Sequence, residues 1–175
     1  MVFSLIGYRG TGKSTIGKRL AEKLNLPFCD SDTIIEQQAE RTIAQIFTDE
    51  GESGFRDLES SVVVQLMNSR KGIIAWGGGV ILSEVNRAEI QKSKKTIWLT
   101  ATAQTLFSRI YGDKNSASTR PALTYLDPLE EIQFNLNKRE TLYRQCADVE
   151  FNTENQSLDT IVDQLAQQLS EPDIS

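Results

Sequence analysis

Nine residues near the start of the chain, Gly7-Tyr8-Arg9-Gly10-Thr11-Gly12-Lys13-Ser14-Thr15, have the types and spacing to hold a phosphate chain. A glycine, four residues and then Gly-Lys-Ser is the P-loop pattern. Its glycines can take positive φ, so the backbone can wrap closely round a phosphate. The backbone N–H groups of Gly10, Thr11, Gly12, Lys13, Ser14 and Thr15 would point at phosphate oxygens, helped by the positive end of a following helix. Lys13 can reach β and γ phosphates, and the Ser14 hydroxyl is placed to ligate Mg²⁺. The plainer alternative is a glycine-rich turn that binds nothing.

The flanking pattern favours the nucleotide site. Val2 to Ile6 is a short apolar run, as in a buried strand, and Ile16, Leu20 and Leu24 recur at helical spacing. Further on, Leu26 to Cys29 reads as a strand ending at Asp30-Ser31-Asp32, and Thr33 to Arg41 as a helix. Ile43, Ile46 and Phe47 mark a short helix, Gly51 to Gly54 a break, and Leu58, Val62 and Leu66 a longer helix from about Phe55. Ile73 to Trp76 is a third strand entering Gly77-Gly78-Gly79. A helix over Glu84–Gln91, a strand over Thr96–Leu99 and a helix over Ala103–Ile110 follow. Gly112 to Thr124 is polar and aperiodic and reads as a mobile loop. A helix over Leu129–Arg144, a strand over Asp148–Phe151, a last helix through Leu169 and a frayed tail from Glu171 complete the chain.

Strands alternating with helices predict an α/β fold of three layers, α/β/α, round a five-stranded parallel sheet. Ligands in such folds bind at the carboxyl ends of the strands. The P-loop, Asp30-Ser31-Asp32 and the triple glycine all fall there.

Composition narrows the chemistry. The chain has 175 residues, 39% of them hydrophobic and 25% charged, which describes one ordinary globular domain. No apolar run approaches membrane-spanning length, and a strand from Val2 leaves no room for a leader, so a cytoplasmic setting without membrane contact is expected. Cys29 and Cys146 lack metal-type spacing and suit a reducing compartment. A net charge of −5 argues against nucleic acid as a partner. The chain contains 0 histidines, which excludes histidine bases, histidine metal sites and Ser-His-Asp hydrolysis.

The other motifs are weak when taken singly. Asp30-x-Asp32 could cap a helix, Gly54-Phe55-Arg56-x-x-Glu59 could be a solvated helix start, and Arg120-Pro121 could be an ordinary loop pair. In this order after a P-loop they are far more specific. The chain resembles the shikimate kinases, P-loop proteins of the nucleoside-monophosphate-kinase-like group, from Gly7 through the helix end at Leu142-Tyr143 and the strand beyond. The resemblance implies a single kinase domain over 1–175, with a lid loop at 112–124 and a substrate-binding helical segment at about 33–62. It further implies a monomer that moves the γ-phosphate of ATP to the 3-hydroxyl of shikimate in aromatic amino-acid biosynthesis.

By the same resemblance, Arg56 and Arg139 hold the shikimate carboxylate, a task suited to a bidentate, permanently charged guanidinium. Asp32 binds substrate hydroxyls and acts as the base, and the Gly78 N–H contacts substrate. Asp30 stands near Mg²⁺ through water, with Ser14 as direct ligand. Arg120 closes with the lid onto the phosphates. Arg109 corresponds to a position near adenine, or is an ordinary helix-end cation. Glu59 orients Arg56 at i, i+3. Lys13, Asp32 and Arg120 are the expected catalytic set.

Three features depart from the usual family pattern: bulky Trp76 before the triple glycine, read as a core aromatic; Ala122-Leu123 after Arg120-Pro121; and a rather long lid. They bear on lid closure and affinity. A related small-molecule kinase such as gluconate kinase and a non-catalytic nucleotide-binding relative are the alternatives. A GTPase is set aside, because Asn137-Lys138-Arg139-Glu140 ends in Glu where guanine reading needs Asp.

Overall fold

The computed structural model describes residues 1–112 and 127–170. Strand β1 (Val2–Ile6) runs into helix α1 (Lys13–Leu24), then β2 (Phe28–Asp30), α2 (Ser31–Ala39), α3 (Ile43–Ser69) and β3 (Gly72–Ala75). A short 3-10 turn, Val80–Leu82, leads to α4 (Glu84–Ile90), β4 (Lys95–Thr100) and α5 (Ala103–Tyr111). Helix α6 (Pro128–Cys146), β5 (Val149–Asn152) and α7 (Leu158–Ser170) follow.

The strands form one sheet in the order β2-β3-β1-β4-β5, every pair parallel. All five carboxyl ends therefore lie along one edge, with the end of β1 in the middle. Strand β1 is buried at every position because helices cover both faces. Phe3 and Leu5 meet α1 and α7 on one side, while Val2 and Ile6 meet the core built by α2, α3, α4 and α6 on the other. This is the expected α/β/α arrangement. Among the described residues, no helix is long and apolar enough to cross a membrane.

Ser4 is the polar exception inside β1. Its hydroxyl pairs with Ser93 Oγ at 2.7 Å and accepts the Trp76 indole N–H at 2.8 Å. Trp76 is thus a buried core aromatic whose one donor is satisfied, as its residue type requires.

Several boundaries differ from the sequence reading. Helix α2 starts at Ser31 because Asp30 caps it, accepting from Asp32 N at 3.0 Å. The predicted break at Gly51 to Gly54 narrows to Gly51 alone, whose φ of 71° kinks α3 while Gly54 stays helical. Beyond the kink, α3 runs to Ser69 and carries Leu58, Val62 and Leu66 as their spacing predicts. The 3-10 turn after the triple glycine had no periodic signal in so short a stretch. The tail from Glu171 lies outside the described residues.

Candidate active site

The P-loop leaves the central strand and turns into α1 through residues in the left-handed region, with φ of 83° at Gly10 and 89° at Gly12. Lys13 folds back over the loop and donates to the carbonyls of Gly7 at 2.8 Å and Tyr8 at 2.9 Å. The Thr11 hydroxyl donates to the Tyr8 carbonyl at 2.8 Å. The Thr11 N–H also donates to the Tyr8 carbonyl, at 3.3 Å, so these bonds fold the loop back on itself at the start of α1.

Strand β2 delivers the acidic motif beside it. Asp30 divides its carboxylate: one oxygen caps α2, and the other accepts the Ser14 hydroxyl at 2.5 Å. The capping reading of this motif therefore holds for Asp30. Between the two aspartates, Ser31 Oγ accepts the Gly77 N–H at 2.9 Å, which ties the ends of β2 and β3 together.

The three glycines after β3 each abut a different neighbour. A Cβ on Gly77 would stand 2.5 Å from Asp32 Oδ1, and one on Gly79 would stand 2.6 Å from Arg56 Nη1. On Gly78 it would approach the Arg9 backbone N at 3.2 Å. The run is thus a smooth wall against which an aspartate, the P-loop and an arginine lie.

Helices α3 and α6 supply the cations. Arg56 donates to Glu59 Oε2 at 2.8 Å and to Glu52 Oε1 at 3.2 Å, and its guanidinium lies 5.2 Å from the Phe55 ring centre. Glu59 is 2% exposed, so the pair is shielded from solvent on the carboxylate side. This is the predicted i, i+3 support. Arg139 donates to the Gly78 carbonyl at 3.3 Å and lies 5.6 Å from the Tyr8 ring centre. Its Nε–H is buried and meets no acceptor among the described residues.

The same Gly78 carbonyl accepts the Tyr143 hydroxyl at 2.5 Å. Burial pushes the Tyr143 phenol well above its ordinary pKa, the nearby Arg139 charge opposing, so it stays a neutral donor. Tyr143 entered the sequence reading only as the end of a helix motif. A phenol that reaches across the fold to a glycine carbonyl leaves no trace in local spacing.

These groups surround two adjoining cavities. One is lined by the P-loop, including Lys13, Ser14 and Thr15, with Asp30, Asp32, Gly77 and Arg109. The other is lined by Arg56, Glu59, Arg139 and Gly79, with an apolar side of Ile43, Phe47 and Phe55. Arg9 and Gly78 border both. Most of the predicted residues line these two cavities, whereas Thr11 lines neither. Arg109 borders the first cavity, but its guanidinium is engaged with Thr153, at 3.0 Å to the hydroxyl and 3.1 Å to the carbonyl, and with the Gly10 carbonyl at 3.4 Å. It clamps the loop after β5 to the P-loop while remaining a cation in the last turn of α5. Arg120, with Ala122 and Leu123 and all of the expected lid beyond Gly112, lies outside the described residues.

Comparison with known proteins agrees with this geometry. The family profile described as shikimate kinase matches residues 9–170. The chain is 43% identical over 158 residues to a shikimate kinase of Rhodopirellula baltica, covering 90% of this chain and 84% of that protein. It is 41% identical to one from Rhodococcus jostii over 167 residues, 95% of this chain and 96% of the relative. Among solved structures, shikimate kinase from Acinetobacter baumannii in complex with shikimate superposes with a TM-score of 0.88 at 33% identity, covering 96% of this chain and 92% of that one.

Proposed function

The chain belongs to the shikimate kinase family, and from that premise we propose how its own residues carry out transfer of the γ-phosphate of ATP to the 3-hydroxyl of shikimate. The observation that carries this reading is the pair of adjoining cavities, one walled by the P-loop and the other by two arginines. ATP occupies the first, its phosphates on the N–H groups of Gly10 to Thr15 and on Lys13. Shikimate occupies the second, its carboxylate held by Arg56 and Arg139 and its ring against Phe47 and Phe55.

Asp32, in the wall of the first cavity beside Gly77, accepts the proton of the attacking hydroxyl. The acceptor oxygen then bonds to the γ-phosphorus as the bond to the ADP oxygen breaks. The N–H of Gly78 orients a substrate hydroxyl, and Tyr143 fixes that glycine through its carbonyl. Arg120 is assigned to the lid, closing on the phosphates, and Arg109 to the adenine side of the nucleotide.

The donor set fits Mg²⁺. Ser14 and Asp30 bring two hard oxygens to the mouth of the P-loop, with the Ser14 hydroxyl as ligand and Asp30 acting through water. An ion held there would supply charge neutralisation for the β and γ phosphates. The enzyme acts as a monomer in the cytoplasm, where Cys29 and Cys146 remain free thiols.

The test is ADP release from Mg-ATP with shikimate, with gluconate in parallel, and with neither. Release that depends on shikimate alone is the expected result. Equal release with gluconate, or none with either acceptor, would overturn the assignment.

A further inference from the structure

Arg9 takes no part in the roles assigned above, yet it stands at the seam. Among the described residues, it and Gly78 are the ones that border both cavities, and Gly78 has no side chain to offer. A group passing from donor to acceptor must cross that seam. The Arg9 guanidinium is positioned there from three directions. Its Nη2 lies 3.9 Å from the Oε1 of buried Glu131 on α6 and donates to the Tyr111 hydroxyl at 3.4 Å on α5. Its central carbon lies 6.0 Å from the Tyr8 ring centre.

At 3.9 Å, Glu131 attracts the guanidinium without a short hydrogen bond, so it aims the charge and leaves donors available. The Nε–H of Arg9 is buried and meets no acceptor among the described residues. Buried donors are nearly always satisfied, so a bound oxygen is the natural partner. Arg139 carries the same unanswered Nε–H on the acceptor side, and a carboxylate already accounts for it there.

We propose that Arg9 is a further catalytic residue, whose guanidinium binds the transferring phosphoryl group between the two cavities. In the transition state charge spreads over the three equatorial oxygens, and a planar fork of donors matches them. The acceptor proton goes to Asp32 and the electrons of the breaking bond to ADP. The inference rests on the kinase reading.

The test compares wild type with Arg9→Gln and Arg9→Lys, the latter a milder change that keeps the charge. Turnover, ADP affinity and the affinity of ADP with aluminium fluoride and shikimate, a mimic of the transferring phosphoryl, are measured together. In Arg9→Gln, kcat should fall on the order of 100-fold, and the extra affinity of the mimic over ADP should fall in parallel. ADP affinity and the shikimate KM should stay within about twofold. Arg9→Lys should fall between the two. An unchanged kcat would overturn the proposal, as would equal losses in ADP and mimic binding, which indicate loop distortion. A raised shikimate KM at full kcat would assign Arg9 to the acceptor carboxylate instead. A wild type that shows no shikimate-dependent turnover would sink the kinase reading itself, which keeps the two failures distinct.

Discussion

The guanidinium of Arg56 rests where Gly79 has no side chain. A Cβ there would meet Nη1 at 2.6 Å and Nη2 at 2.7 Å, while Glu59 holds the same group from behind at 2.8 Å. Glycine and glutamate, from different elements, thus form the front and back of one slot, and the slot fixes a planar cation beside the second cavity.

Substituting Gly79→Ala should therefore displace Arg56 without unfolding the protein, because the clash falls on the end of a flexible side chain. The shikimate KM should rise roughly tenfold or more, as for loss of a charge-assisted bidentate contact, with the ATP KM little changed. Steady-state kinetics with each substrate varied checks it; an equal rise in both KM values would place Arg56 elsewhere in the mechanism.

Glu59→Gln removes the buried charge behind Arg56. The amide still accepts one hydrogen bond, so the fold should survive with a stability loss of about 1–3 kcal/mol. Urea denaturation measures that loss, and the shikimate KM should rise alongside it.

Lys13→Ala should abolish turnover, whereas Arg139→Ala should chiefly raise the shikimate KM. Lys13 is anchored on the P-loop's own carbonyls and Arg139 on the Gly78 carbonyl, so each acts on a separate cavity. Unchanged shikimate binding in Arg139→Ala, by titration calorimetry, would refute the two-arginine site.

The loop after β5 has its own pH signature. Hydrogen bonds from the Thr102 side chain, then from the Thr105 hydroxyl and the Thr102 N–H, hold the Glu154 carboxyl down to about 2. A folded pKa below the unfolded value gives stability that is complete above about 4.5 and lost as pH falls towards about 2. Glu154 is only half-buried, so solvent screening keeps the gain modest, of order 0.5 kcal/mol. Glu154→Gln should lower Tm by a degree or two at pH 7, and the gap to wild type should shrink by pH 3. A gap that persists at pH 3 would mean packing, rather than charge, holds the loop.

Burial raises the Cys146 thiol to about 11, and Cys29, half-buried, is raised as well. Iodoacetamide at pH 8 should modify native protein slowly and reach Cys29 before Cys146. Peptide mapping of the first label decides it.

The P-loop, the strand-and-helix order and the parallel sheet were legible in the sequence because each rests on neighbours along the chain. Glycine spacing, strand runs and the four-residue recurrence of Ile16 and Leu20 are local patterns, and local backbone physics reads them directly. The i, i+3 pairing of Arg56 with Glu59 belongs to the same class. What the linear order could not contain is contact between elements far apart in sequence: Arg56 against Gly79, Tyr143 on the Gly78 carbonyl, Arg9 aimed by Glu131, and Arg109 clamped to Thr153. Those contacts exist only because the order β2-β3-β1-β4-β5 sets the five strand ends along one edge and lays α3 and α6 over it. Residue types and spacing determined which groups could do the chemistry. The packing of helices on the sheet decided which of them face one another, because side chains from separate elements meet only when their layers close over a shared core.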